Sequence, residues 1–560
     1  MMFASTLRIA AAAIVLCSFL FAQEPARQEQ QLQRVSESKT TGEDVGPKKP
    51  KIPVKDRQLA LQMLETSDAQ ARGFEAPMRS YSLLQIAQVY VTFDSEKARN
   101  LLGDAFTASV GIQDDDQTKS RLQEEIFRTL LPLSQADVEE RLSQAELSVR
   151  KQAASSIIRR YAEKKQFESA IELINQVTGW DEFPYESAMQ LMLAMPAEMS
   201  SEKLGLFAQA VNSFKNHDHS KRIQMGDGSL TNLVVRFGPK LPAKLVMEAI
   251  DEILSQAKKA EGRGTITLGG KEGTAAFNSI YDFQLFALLP TLQLLDEGRA
   301  ESLLKENQEL KAKLQQFPDG MRSLDPSLTD APPEKGKGGL SIGVNMGSGP
   351  GAGGGLYMRQ EYQRKAEAIA ADSAKNPTQA IAQTATLPVK VEGAPFSPRS
   401  HALEEIAKVN SVGNPGAAKQ ALDELRKIIP DLAPRIQVQA LSTAARIYLQ
   451  IGEKDSAQAV VLEGFKAAEK MLTKDTDAND PNKALKAWWP SADAYRRFVE
   501  VQTKISMRSV AKILKEIGDP EIRNSASIMV SRSLLDLPTR RFIVVEQTKN
   551  GNSTSISDED

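Results

Sequence analysis

Along the chain, apolar residues recur at helical spacing, in paired sets. Leu83, Ile86, Ala87 and Tyr90 stand at i, i+3, i+4 and i+7, one face of a helix; Ala98, Leu101, Leu102 and Ala105 repeat the spacing after a short polar turn. The double pattern returns at Ala154, Ile157, Ile158, Tyr161 with Ala170, Leu173, Ile174, Val177. It returns again at Leu441, Ala444, Ala445, Tyr448 with Ala457, Val460, Val461, Gly464, and more weakly at Leu403, Ile406, Ala407, Asn410 with Ala418, Ala421, Leu422, Leu425. Further pairs are Ala188, Leu191, Met192, Met195 with Leu204, Phe207, Ala208, Val211, and Tyr495, Phe498, Val499 with Val510, Ile513, Leu514, Ile517. From Asp56 onward the pattern is helical almost without a break. Thr265–Leu268, between glycines, reads as one arm of a small hairpin.

Each pair predicts two amphipathic helices joined by a polar turn. One such hairpin cannot bury its apolar face alone, but stacking on neighbours does bury it. The fold class expected is therefore all-α, an α–α superhelix of antiparallel hairpins in two arrays with a Gly/Pro-rich insertion between them. The insertion, residues 317–358, carries Pro318, Pro326, Pro332, Pro333 and a glycine tract from Gly336 to Gly355, a composition that breaks helices. It separates an N-terminal array at 56–316 from a C-terminal array at 359–536. Residues 23–55 have too few large apolar groups to offset chain entropy and read as a disordered linker, and 537–560, which end in Asn, Ser, Thr and acids, read as a disordered tail.

The hairpin spacing resembles that of the tetratricopeptide repeats, with a Tyr late in the first helix and an Ala nine residues on, opening the second. Tyr161 to Ala170 and Tyr448 to Ala457 match; Tyr90 to Ala98 is one residue short. The small residue three before the Tyr is present as Ala87 and Ala445 and replaced by Ile158; Pro430 is the counterpart of the closing proline. The family period of about 34 residues is not kept: Asn410 to Tyr448 is 38 and Tyr448 to Tyr495 is 47. The resemblance implies a degenerate helical-repeat scaffold that binds peptides or partner proteins along a concave face.

Residues 1–22 read as a signal peptide. Arg8 precedes an apolar run, Ile9–Phe21, too short for a spanning helix, and Ala22 supplies a small residue before a cut at Gln23. Cys17 follows Leu16, where a lipid attachment site needs a small residue, and the alternative to cleavage is an uncleaved anchor. The expected address is outside the cytoplasmic membrane, periplasmic or extracellular, with no membrane span after signal removal. Cleavage takes the single cysteine with it, so the mature chain has neither a disulfide nor a thiol nucleophile.

Charge and composition narrow the chemistry. Lys+Arg number 70 against 72 Asp+Glu, so no basic field invites nucleic acid. Three histidines exclude histidine-rich metal sites. Gly336-Lys337 and Gly270-Lys271 lack the Ser or Thr of a phosphate loop. His217 and His219 flank Asp218 without a third ligand nearby; His401 is distant in sequence. Asp475, Asp477, Asn479 and Asp480 begin like a calcium loop, but its glycine and closing glutamate are replaced by Asp480 and Lys486. Asp114, Asp115 and Asp116 read as a helix cap near Thr118. Ser-x-x-Lys recurs at Ser148, Ser200, Ser255, Ser302 and Ser509 without companion motifs. Glu186-Ser187 matches the opening dipeptide of the lytic transglycosylases, but the Gly-Leu-Met-Gln that should follow is missing.

Trp488-Trp489-Pro490 is the most unusual cluster. Adjacent helical positions face about 100° apart, so both rings cannot enter one core stripe, and the two tryptophans are the candidate partner-binding residues. The reading is an exported, non-catalytic scaffold with an unknown protein or peptide partner and no cofactor. The rival readings are a cell-envelope polysaccharide hydrolase or lyase with a helical groove, and a structural envelope spacer.

Overall fold

The computed structural model describes residues 52–113, 115–217, 229–260, 265–270, 273–325, 328, 341–345, 354–391, 396–477 and 485–537. The chain divides into two units, Met1–Pro53 and Val54–Asp560, and the described helices lie in the second. The signal peptide and nearly all of the 23–55 linker and 537–560 tail fall outside the described residues.

The first half contains α1 (Val54–Ala71), α2 (Ala76–Tyr90), α3 (Ser95–Val110), α4 (Asp116–Leu130), α5 (Gln135–Arg141), α6 (Leu147–Glu163), α7 (Phe167–Trp180) and α8 (Tyr185–Ala194). It continues with α9 (Ser200–Asn216), α10 (Leu230–Phe237), α11 (Ala243–Lys259), β1 (Thr265–Gly270), β2 (Gly273–Phe277), α12 (Ile280–Leu295), α13 (Glu297–Glu306), α14 (Gln308–Gln316) and α15 (Met321–Leu324). After β3 (Ser341–Asn345) come α16 (Gly354–Asp372), α17 (Pro377–Gln383), α18 (Pro398–Asn410), α19 (Pro415–Ile428), α20 (Pro434–Gln450), α21 (Lys454–Asp477), α22 (Pro490–Ile505), α23 (Met507–Glu516) and α24 (Pro520–Leu534). This is an all-α architecture of antiparallel hairpins, as the apolar spacing predicts.

Short polar residues set the helix starts. Asp94, Ser134, Asp296, Asn376, Asn414 and Ser506 each cap a second helix by accepting a backbone N–H from its first turn. Prolines at the first positions of α17, α19, α20, α22 and α24 pre-set the helical φ where no N–H is needed. The Tyr-to-Ala spacing has a backbone cause. After Tyr161 and Tyr448 the fifth residue donates its N–H to the tyrosine carbonyl, and the residue before it, Lys165 (φ 59°) or Gly452 (φ 86°), is left-handed. After Tyr90 the bond closes one residue earlier, at Asp94, with no left-handed residue. The shorter Tyr90–Ala98 spacing is thus a tighter turn in a comparable hairpin.

The same tyrosines register one hairpin on the next. Tyr161 donates to Glu139 of α5 at 2.6 Å and Tyr448 to Asp423 of α19 at 2.6 Å. Tyr495 of α22 stands under the charge of Glu469 on α21. In each case the carboxylate comes from the trailing helix of the preceding hairpin. Burial foremost, then the neighbouring carboxylate, pushes Tyr161 and Tyr495 up to about 12 and Tyr448 higher still, so all three stay protonated and Tyr161 and Tyr448 stay donors.

The leading helices form one layer by neighbour contact, in the spatial order α16, α18, α20, α22, α24, α2, α4, α6, α8, α10, α12. α4 and α6 run parallel: Gln152 of α6 meets Glu124 of α4, and further along Arg160 meets the carbonyl of Leu131. The last helix, α24, therefore packs on α1 and α2, and the chain's two halves meet there. Nine residue steps separate Asn345 from Gly354, a covalent reach of about 30 Å. Eleven helices laid straight at 8–10 Å would extend roughly 90 Å, so the layer within this unit is curved.

Two apolar cores correspond to the two halves, but the junction interleaves them. Leu485, Ala487, Ile528 and Leu535 belong to the first core, while Met63 of α1 packs against the second. α1 contributes a narrow stripe, Ala60, Leu64, Ser67 and Ala71. α2 is buried from Ser80 through Tyr90 on every side, so its expected single apolar face is only part of what it buries. In α9 the buried face is Leu206, Phe207, Ala210, Val211 and Phe214; Leu204 and Ala208 lie at its margin, a rotation of the expected stripe.

The hairpin expected at Thr265 is present, with Leu268 opposite Ala275 and Ile266 opposite Phe277. β3 adds to the other edge of β1, giving the order β2-β1-β3. The region expected to be a flexible Gly/Pro loop from 317 begins instead as packed chain. Phe317, Met321, Leu324 and Leu328 are buried in the first core, with Phe317 edge-on to Phe286 at 6.4 Å. Gly320 permits this: its φ is 58°, and a Cβ would lie 2.6 Å from the Phe286 carbonyl. Apolar burial and one glycine outweigh the helix-breaking composition up to Leu328, and free edge groups on β1 recruit the 341–345 strand.

Two substitution pairs test these turns and pins by urea unfolding followed by tryptophan fluorescence. Gly452 has open space around its Cα, so Gly452→Ala should cost about 1 kcal/mol through backbone strain alone, whereas Lys165→Gly should gain up to about 1 kcal/mol. Tyr448→Phe, which strands a charge-assisted hydrogen bond, should cost about 2 kcal/mol, and Tyr161→Phe less because its site is more open.

Candidate functional site

The tryptophan pair sits at the junction of the two halves. Lys486–Trp488 forms one 3-10 turn, Trp489 is the extended residue before α22 (φ −61°, ψ 141°), and Pro490 opens the helix. The change from helical to extended backbone between neighbours sends the rings apart. Trp488 packs against the first core and Trp489 against the second, and both are half-buried. Arg121 of α4 lies over the Trp488 ring, 5.6 Å from its centroid. The Trp488 Nε1 donor is buried and finds no hydrogen-bond partner among the described residues.

Polar contacts fasten this turn to α24. Lys486 reaches Asp519 at 3.0 Å and Glu521 at 2.8 Å. Partial burial pushes the Lys486 ammonium down, and the two carboxylates more than reverse that, so its pKa ends above the usual lysine range. Asp519 also caps α24, accepting from the N–H groups of Glu521 and Ile522. Arg496 of α22 donates to the Ala487 carbonyl at 2.7 Å and to Ser525 of α24 at 3.2 Å. The arrangement supplies apolar contact, a fixed cation–π pair and a charged clasp, which are the means of holding surfaces together.

The other sequence candidates are dispersed. His217 Nδ1 lies 2.7 Å from the Ser213 carbonyl, while Asp218 and His219 fall outside the described residues. His401 is on α18, 5.8 Å ring to ring from Phe396. Asp115 caps α4 by accepting from Thr118, as its position predicts; Asp114 lies outside the described residues. Asp475 and Asp477 belong to the last turns of α21, a helical backbone that a calcium loop does not have; Asn479 and Asp480 lie outside the described residues. Ser187 opens α8 and bonds Ser155 of α6 at 2.9 Å, joining leading helices. Lys151 pairs with Asp181, and Lys258 lies over Tyr281 at 4.9 Å. Gly269 and Gly270 end β1, and Gly336–Gly338 fall outside the described residues.

Among the described residues no group of three or more His, Cys, Asp or Glu side chains is placed to hold a metal ion. A cavity of about 10 Å³, lined by Phe277, Asp282, Asn307, Glu309 and Lys313 among others, has room for about one water. Sequence reasoning missed Glu404, a carboxyl buried inside the helical layer. Its place two residues before the expected apolar Ile406 resembles any solvent-facing glutamate.

No family model matches the chain, and no curated protein matches it. Among solved structures, a circular tandem repeat protein with novel repeat topology and enhanced subunit contact surfaces is similar at 12% identity over 86% of this chain and 97% of that one, with a TM-score of 0.13. At that score the likeness bears on neither fold nor function; the helical-repeat architecture stands on the contacts above.

The junction is tested at Trp488. Trp488→Ala should cost about 2–3 kcal/mol in urea unfolding, since it empties space against the first core. Trp488→Phe should stay within about 1 kcal/mol of wild type, because the lost area is offset by removal of an unpaired donor.

Proposed function

We propose that this protein is an exported, non-catalytic interaction scaffold. The observation that supports the reading is the continuous layer of leading helices, whose apolar burial leaves the outer sides of the trailing helices as a repeated, solvent-facing surface. Such a surface offers many shallow contacts to a protein or peptide partner and requires no cofactor. Export is read from Arg8, the Ile9–Phe21 run and Ala22. Among the described residues no helix is long and apolar enough to cross a membrane. Trp488 and Trp489 remain the partner-binding candidates, and their position links any contact there to the junction between the halves.

Two measurements test the reading. Cell fractionation with N-terminal sequencing should find the mature chain outside the cytoplasm and beginning at Gln23; retention of Met1 in the cytoplasm would overturn the proposed address. Capture from the native envelope with residues 23–560 should enrich one reproducible partner, and Trp489→Ala should lose it while keeping the fold. An unchanged capture profile removes the pair from the binding surface, and turnover of envelope glycans by the purified chain would overturn the non-catalytic reading.

A further inference from the structure

The C-terminal half holds its leading helices together partly through polar groups inside the layer. On α18, Asn410 donates to Ser373, in the turn after α16, at 3.0 Å and to the Ile406 carbonyl at 2.9 Å. Two turns earlier, Glu404 is only 8% exposed. It accepts from Ser400 on its own helix at 2.9 Å and interacts with the Thr443 hydroxyl of α20. The charges named as bearing on it are Lys408 and Glu405, both on α18, and α20 contributes the Thr443 hydroxyl. Lys408 is itself engaged by Glu405 at 2.6 Å. Glu404 therefore lies between two helices, held by hydroxyls and, among the described residues, in no ion pair, a setting in which an ionised carboxylate is costly.

We propose that Glu404 is a proton-operated latch between α18 and α20, protonated while the helices are packed and opening the C-terminal array when it ionises. Burial pushes this carboxyl above its ordinary range, and the Ser400 hydroxyl and Lys408 only partly oppose that. The packed form then holds a proton that the opened form releases. Packing is strongest below the ordinary carboxyl value and is lost as pH rises through the raised one. The inference does not depend on the scaffold reading, since the latch works on the fold whatever the array binds.

Hydrogen exchange of the full chain, corrected for intrinsic rates, reads it out between about pH 5 and about pH 8. Peptides from α18 and α20 should open more as pH rises, up to about tenfold per pH unit, while peptides from α2 stay level. Glu404→Gln should remove the slope. Lys408→Gln, at an exposed site, should increase opening at the alkaline end by withdrawing a cation that favours the ionised form. A level wild-type profile, or a slope that Glu404→Gln leaves unchanged, overturns the latch. If Glu404→Gln does not fold, an alkaline profile in Lys408→Gln identical to wild type overturns it instead.

Discussion

The packing of α24 on α1 and α2 is the contact on which the rest of the structure depends. An 18-residue helix such as α1 is marginal alone in water and buries only a four-residue stripe. It becomes stable by lying in the groove that the far end of the chain provides. The consequence is a layer whose spatial order differs from its chain order, with the start of the first half and the end of the second adjacent at its middle. Leu485, Ala487, Ile528 and Leu535 complete the first core from the other end of the sequence, and Met63 packs against the second. Helix α2 is consequently covered on all sides and carries Ser80, Ser82, Gln85 and Gln88 into the interior.

The hairpins are joined by a small set of repeated devices. Capping residues and N-terminal prolines fix where helices start. Tyrosine hydroxyls take a carboxylate from the preceding hairpin and so set the offset between repeats. Gly464 on α21 shows how close the approach becomes: a Cβ there would collide with the Phe498 ring of α22. These local rules agree with one another along the array, the consistency expected of a sequence that specifies one fold.

Polar groups inside the layer serve a different purpose from the apolar faces. Gln88 bonds Glu125 at 3.0 Å and Ser187 bonds Ser155, each between successive leading helices, and Asn410 of α18 bonds Ser373 in the turn after α16. Apolar contact is non-directional and tolerates sliding, whereas a buried hydrogen bond is satisfied at one register. Where the bond involves a titratable group, as at Glu404, the same register becomes sensitive to protons.

What the sequence alone determined was local: helical periodicity, hairpin pairing, the cap at Asp115, the small hairpin at Thr265 and the all-α class. These follow from spacings of three, four and nine residues, within which backbone geometry decides the outcome. Only the tertiary structure decided that α24 meets α1, that Trp488 and Trp489 point to different cores, that Phe317, Met321, Leu324 and Leu328 are packed, and that Glu404 lies inside. Burial of those residues depends on neighbours contributed by distant parts of the chain. No periodicity around Glu404 or the tryptophan pair distinguishes a side chain facing solvent from one covered by another helix, α20 for Glu404 and the far α4 for Trp488.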